Sequence, residues 1–152
     1  WEEEADIYLA ARHEAWVSTH GPDVPFDGES FLAAAREHLD HTPWGVTLAM
    51  ADEEVAGVLE LDVERYAPDN AGYIAFCYMD PSRREQSLGV QLIGQAVAFY
   101  RPLGRDKLRL RCAPYNDRAQ HFYKKYGFTK IGDEVGGRVP LEILEKYIGY
   151  ER

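Results

Sequence analysis

Several residue types and patterns are scarce in this chain. Its 152 residues include only two cysteines, Cys77 and Cys112, which are too few for a disulfide scaffold, so we expect buried free thiols in a reducing cytoplasm. No apolar run approaches the roughly 20 residues that a membrane-spanning helix needs, and no signal-peptide pattern opens the chain. Basic residues are outnumbered, 17 to 26, which leaves a formal net charge of −9. Such a charge repels nucleic-acid phosphates, so the composition predicts a cytoplasmic protein with no nucleic-acid or membrane partner.

Common catalytic and nucleotide-binding signatures are also missing. The chain has no GxGxxG or GxxxxGK[ST] phosphate loop and no GxSxG elbow of a hydrolase. His38 and His41 stand three residues apart, but the sequence offers no third ligand nearby, and we therefore predict no metal site.

The hydrophobic pattern is that of one globular domain over residues 1–152. Helical spacing begins almost at once after Trp1, so we expect that a segment upstream is missing. Residues 2–18 and the stretch from Ser30, the expected cap, to about residue 40 are predicted helices. The remaining predicted elements are strands 46–50, 55–66 and 73–79, helix 87–101, strand 106–113, helix 116–127 and strands 128–134 and 138–149. This order predicts an α/β fold with a mixed sheet, because hairpins pair antiparallel while strand–helix–strand units can pair parallel.

The stretch "SRREQSLGVQLIG", residues 82–94, lies between a predicted buried strand and a helix. The first backbone N–H groups of a helix and its positive dipole end can bind an anion there. An ordinary turn with solvated charges is the alternative interpretation of this stretch alone.

A second motif favours the anion-binding interpretation. "YMDPSRREQSLGVQLI" is followed by "NDRAQHFYKKYGF", and together they resemble the GNAT superfamily of acyl-CoA-dependent N-acyltransferases. The second family pattern, Asn-x-x-Ala-x-x-Phe-Tyr-x-x-x-Gly-Phe, is met in full by Asn116, Ala119, Phe122, Tyr123, Gly127 and Phe128. The resemblance implies a GNAT-like, mostly antiparallel sheet whose first strand would lie before residue 1.

The resemblance also implies how acetyl-CoA, the co-substrate, is held. Backbone N–H groups of the loop would bind its pyrophosphate, the strand at residues 77–79 would pair with its pantetheine arm, and Asn116 would meet the pantetheine amides. A backbone N–H near Met79 would stabilise the oxyanion. The implied cofactor-binding residues are Cys77, Tyr78, Met79, Arg84, Glu85, Gln86, Ser87, Leu88, Gly89, Val90 and Asn116.

The loop departs from the family pattern at two positions. Ser87 replaces the family's first glycine, and Glu85 adds a negative charge where glycine is common. Serine is small enough to keep a close backbone approach, so we expect a usable loop with altered CoA affinity. A non-catalytic acyl-CoA-binding or sensory module is the alternative function, and a nucleotide-binding protein is a third.

Two residues are the predicted catalytic groups. By the resemblance, Tyr123 would donate a proton to the departing thiolate; as an alternative it could be a core aromatic. The amine must also lose a proton, and the strand before the loop carries no acid until Asp80. On the preceding strand Glu60, Asp62 and Glu64 alternate with apolar residues, a one-sided burial pattern. A solvated strand face is the commoner explanation for such a row. Glu60 lies deepest among apolar neighbours and is the predicted base.

The acceptor site would be walled by the first two helices and their loop. That wall, made of residues 18–30 and the region around Trp44, offers Asp23, Asp27 and Glu29 with the aromatic rings of Phe26 and Trp16, beside the row Glu60, Asp62 and Glu64. Such a lining attracts ammonium groups. The sequence thus predicts an acetyltransferase for a cationic small-molecule or peptide amine, with a homodimer left open.

Overall fold

The helices and strands follow the predicted order. A computed structural model of the protein describes residues 2–83, 88–137 and 139–150. In these ranges the helices are α1 Glu2–His20, α2 Gly28–His41, α3 Leu88–Tyr100 and α4 Asp117–Lys125. The strands are β1 Val46–Ala51, β2 Glu54–Leu61, β3 Ala71–Met79, β4 Lys107–Cys112, β5 Thr129–Glu134 and β6 Leu141–Tyr147.

The six strands form one open mixed sheet in the order β1-β2-β3-β4-β6-β5. Strands β1 and β2, β4 and β6, and β5 and β6 pair antiparallel. Strand β4 pairs parallel with β3, in a register that runs from Ala71 opposite Lys107 to Ile74 opposite Leu110. The predicted mixed, mostly antiparallel sheet is confirmed.

The chain clusters into two compact units, Trp1–Leu61 with Phe76–Ile93 and Asp62–Ala75 with Gly94–Arg152. In the first unit, α1 and α2 bury their apolar faces around a cluster of Tyr8, Ala11, Ala35, Val46 and Val58. Side chains three or four residues apart on a helix share one face. The apolar residues of α1 and α2 therefore line the core, while most acidic residues of these two helices face outward.

The second unit packs around buried aromatic rings. A side chain at Gly72 would overlap the ring of Tyr100, so only glycine allows this helix residue to lie against the strand. The hydroxyl of Tyr100 donates to the carbonyl of Tyr73 at 2.8 Å, and burial raises the pKa of Tyr100 to about 12.

Two local predictions are wrong. Asp27, not Ser30, caps α2, because the Asp27 carboxylate accepts the N–H of Ser30 at 3.1 Å. Strand β2 ends at Leu61 rather than at residue 66. The chain turns after Leu61 because the carboxylate of Asp62 accepts the N–H groups of Glu64 and Arg65.

Within the described residues, no helix has both the length and the apolar character that a bilayer crossing demands.

Candidate active site

Glu60 lies at the centre of a buried polar network in the first unit. Its side chain has no exposed surface. The hydroxyl of Tyr8 donates to Oε1 of Glu60 at 2.6 Å, and Nη2 of Arg12 donates to the same oxygen at 2.8 Å. Nδ1 of His38 lies 2.6 Å from the other oxygen, Oε2. Both carboxylate oxygens are therefore engaged by donors from α1 and α2.

These partners keep Glu60 ionised. Burial favours its neutral form, but the hydrogen bond from His38, the charge of Arg12 and the hydrogen bond from Tyr8 together hold the pKa of Glu60 below its ordinary value. Burial and the neighbouring Glu60 charge raise the pKa of Tyr8, so its hydroxyl stays a donor.

The expected one-sided burial of β2 is wrong at Glu60. Residues 56–61 are all buried, because α1 covers the strand face that carries the carboxylate. Asp62 and Glu64 follow the end of the strand and belong to the second unit. The predicted acidic row therefore does not form one strand face.

The guanidinium of Arg12 lies between two aromatic rings. Its central carbon is 4.0 Å from the ring centroid of Phe76 and 4.8 Å from that of Phe31. Nε of Arg12 also donates to the hydroxyl of Tyr8 at 3.0 Å. Stacking and hydrogen bonding together fix the plane of the guanidinium.

An aromatic cluster joins α1, α2 and the loop between them, with Trp16 on α1, Phe26 in the loop and Phe31 on α2. The rings of Phe26 and Phe31 stack at 5.3 Å, and the ring of Trp16 lies about 6 Å from both. Nε1 of Trp16 donates to the carbonyl of Val24 at 3.1 Å, which ties the loop to α1. Asp23 and Glu29 are exposed, as is Trp44. The predicted wall of acids and aromatics thus includes rings that contact one another.

The end of β3 is held tightly within the same unit. The hydroxyl of Tyr78 donates to the carboxylate of Glu14 on α1 at 2.5 Å. The N–H of Asp80 donates to the carbonyl of Ala56 at 2.7 Å. A Cβ at Gly57 would lie 2.7 Å from the carbonyl oxygen of Tyr78, so glycine permits the close approach of β2 and β3.

Part of the predicted anion loop lies outside the described residues, namely Arg84, Glu85, Gln86 and Ser87. Helix α3 begins at Leu88, Gly89 is buried, and Val90 is 39% exposed. Leu88, Gly89 and Val90 therefore form the first turn of this helix, where backbone N–H groups lack helical partners.

Asn116 and Tyr123 lie in the second unit. The side-chain oxygen of Asn116 accepts the N–H of Ala119 at 3.2 Å and so caps α4. Tyr123 is buried in α4, with its ring edge-to-face on Phe128 at 5.5 Å. The roles of Asn116 and Tyr123 toward acetyl-CoA stay predictions.

The two cysteines differ in exposure. Both thiols lie outside any disulfide, as predicted, but only Cys112 is buried, whereas Cys77 in β3 is half-buried. Burial, helped by the charge of Glu142, raises the pKa of Cys112 to about 11.

Sequence reasoning missed the partners of Glu60 and Tyr78. Tyr8 and Arg12 stand four residues apart on α1, and this spacing places them on one helix face. Their spacing could have been noticed, but nothing in the sequence pairs them with a carboxylate some 50 residues later. Glu14, which accepts from Tyr78, carries no sequence signal either.

A mixed open sheet with a parallel β3–β4 pair and a helix that begins after β3 is the fold expected from the resemblance. The chain belongs to the acetyltransferase (GNAT) family, whose model matches residues 3–128. No curated protein matches it.

Solved acetyltransferases share this fold. An N-acetyltransferase from Staphylococcus aureus Mu50 superimposes with a TM-score of 0.76 at 18% identity, covering 97% of this chain and 94% of that one. The PaiA N-acetyltransferase of Thermoplasma acidophilum, in complex with coenzyme A, superimposes with a TM-score of 0.70 at 20% identity, covering 95% of this chain and 93% of that one. Nourseothricin acetyltransferase superimposes with a TM-score of 0.62 at 22% identity, covering 68% of this chain and 64% of that one.

Proposed function

We propose that the protein is an N-acetyltransferase that moves an acetyl group from acetyl-CoA to a primary amine within a ternary complex. Membership of the acetyltransferase (GNAT) family over residues 3–128 is the observation that carries the proposal. The related PaiA protein was solved with coenzyme A, and acetyl-CoA is accordingly the proposed co-substrate here.

The first unit contains features that suit such a co-substrate. Cys77, Tyr78 and Met79 follow the part of β3 that is in register with β4, and they precede α3. A strand edge can hydrogen-bond an extended pantetheine arm, and the first turn of a 13-residue helix can bind a diphosphate. The loop residues Arg84–Ser87 complete the proposed diphosphate site on the strength of the family resemblance.

Acetyl-CoA supplies a thioester whose carbonyl carbon the amine nitrogen attacks. The nitrogen–carbon bond forms, the carbon–sulfur bond breaks, and the amine proton passes to a base. In our proposal a backbone N–H near Met79 stabilises the oxyanion, and Tyr123 gives its hydroxyl proton to the leaving thiolate. The sequence predicts Glu60 as this base.

The proposed acceptor is a cationic small molecule or peptide amine. The support is the aromatic cluster of Trp16, Phe26 and Phe31 together with exposed carboxylates, among them Glu29 and Asp23. Aromatic faces and carboxylates both attract an ammonium group. Glu60 adds no net attraction, because Arg12 neutralises it.

A thiol-reactive dye that measures CoA release, run against a panel of amines, tests the proposal. We expect turnover with cationic amines, falling with ionic strength, and acetyl-CoA binding by calorimetry. The absence of acetyl-CoA binding would refute the proposal. Tight binding without turnover on a broad panel would favour the acyl-CoA-binding module instead. A best acceptor with net negative charge would refute the electrostatic argument alone.

Tyr123→Phe tests the proton donor. Removal of the hydroxyl should lower kcat by about 100-fold, the scale of general acid–base catalysis, and leave the acetyl-CoA affinity unchanged. Steady-state kinetics and calorimetry measure the two quantities. An unchanged kcat would make Tyr123 a core aromatic that packs on Phe128.

A further inference from the structure

The surroundings of Glu60 argue against a base. A base must reach the proton that it removes, directly or through one water. Glu60 has no exposed surface, and its two oxygens already accept from Tyr8, Arg12 and His38. These groups face it from α1 and α2, and they favour its ionised form.

The same contacts allow Glu60 to position Arg12. It is the hydrogen-bond anchor for Arg12, whose guanidinium rests 4.0 Å from the Phe76 ring centroid. Phe76 immediately precedes Cys77, Tyr78 and Met79 in β3. The chain of contacts therefore runs from Glu60 through Arg12 to the strand segment that we propose for the thioester.

A second contact fixes that segment from the same helix. Tyr78 donates to Glu14 on α1, two residues beyond Arg12. Helix α1 thus meets β3 through Arg12 on Phe76 and through Glu14 on Tyr78, and Glu60 sets the first of these contacts.

We propose that Glu60 is a positioning residue: it holds Arg12 against Phe76 and so fixes residues 76–79 of β3 in the geometry needed for acyl transfer. The functional part of this inference rests on the proposed acetyltransferase activity. The structural part, that Glu60 orders β3 through Arg12, stands independently of it.

An amide can perform the positioning task but not proton abstraction. In Glu60→Gln, the amide oxygen would still accept from Tyr8 and Arg12. The amide NH₂ group would face Nδ1 of His38, which accepts in its other neutral tautomer. A positioning role therefore tolerates glutamine and rejects leucine, whereas a base tolerates neither.

The experiment compares Glu60→Gln, Glu60→Leu and the control Glu54→Gln, an exposed carboxylate on the same strand. Values of kcat and KM are measured from pH 5 to 9 below the melting temperature of each variant. We expect Glu60→Gln to keep kcat within about threefold with an unchanged pH profile. Glu60→Leu should lose at least tenfold in kcat/KM, and the control should match the parent. A 10²-fold or larger loss of kcat in Glu60→Gln overturns the proposal.

Hydrogen exchange of residues 76–79, followed by mass spectrometry, adds a readout that does not depend on activity. We expect exchange of these amides in Glu60→Gln to rise no more than its loss of global stability accounts for. In Arg12→Met, which removes the guanidinium but keeps an apolar stem, we expect a rise at least tenfold beyond that. Parent-like exchange in Arg12→Met overturns the positioning role. If the parent enzyme shows no turnover, the proposed function fails while this measurement still decides the structural part.

Discussion

Glu60 is an ionised carboxylate in a buried position, so its charge couples stability to pH. Because its folded-state pKa lies below its unfolded value of about 4.3, its contribution is present above that pH and is lost as the pH falls toward the folded-state pKa. Glu60→Gln should be less stable than the parent by about 1–3 kcal/mol at pH 7. Its stability should then fall less steeply between about pH 5 and pH 3. Melting temperatures across this range check both expectations. If the stability of the parent and that of Glu60→Gln fall equally steeply as the pH is lowered, the expectations are wrong.

The two thiols should differ in reactivity because only the thiolate is a nucleophile. Burial raises the pKa of Cys112 to about 11, whereas Cys77 is half-buried. Iodoacetamide should therefore alkylate Cys77 at least tenfold faster at pH 8, as peptide mass spectrometry can measure.

Saturating acetyl-CoA should slow the labelling of Cys77 if residues 77–79 bind the pantetheine arm. Cys112→Ser is the matched variant for the comparison of the two thiols. Its Cys77 should be alkylated at the same rate as Cys77 of the parent. Faster labelling of Cys112 would contradict the burial argument.

At the scale of elements, β2 and β3 are brought together by a glycine. In Gly57→Ala the new methyl group would lie 2.7 Å from the Tyr78 carbonyl oxygen and 3.1 Å from a Leu88 methyl group. The strands must separate, which should cost about 1–3 kcal/mol of unfolding free energy and weaken acetyl-CoA binding. Denaturant unfolding and calorimetry measure these effects.

Gly94→Ala is the matched control for this change. Gly94 lies in α3, and a Cβ there would meet nothing within 4 Å. Alanine is the better helix former, so this variant should gain about 0.5–1 kcal/mol. Equal effects of the two substitutions would contradict the steric argument.

Elements with local signals were predictable. Helix α4 has Asn116 at its cap and Gly127, with φ of +94°, just after its end, and both positions follow from residue chemistry. The end of β2 was not predictable by alternation, because Val63 continued the apolar pattern beyond Leu61. Asp62 ended the strand by accepting two backbone N–H groups, and a turn of this kind competes with periodicity.

At the scale of the whole molecule, the sequence was sufficient for the family and the element order and insufficient for the site. Motifs that we propose to bind through backbone, such as the start of α3, leave a local trace in small and polar residues. Glu60 gave the opposite result: its alternation indicated a solvated face, since only the tertiary structure places α1 and α2 over it. The roles of buried charges depend on partners that are distant in the chain.

The network around Glu60 has a consequence for folding kinetics. Its hydrogen bonds join residues separated by 52, 48 and 22 positions along the chain. Contacts of such high contact order require large loops to close, so we expect them to form after the rate-limiting barrier. Glu60→Gln should then leave the refolding rate within about twofold and accelerate unfolding by about tenfold, as stopped-flow chevron plots can measure. Slower refolding with unchanged unfolding would place the network in the folding nucleus. With the expected result, the network forms late in folding and sets the lifetime of the native state through the unfolding rate.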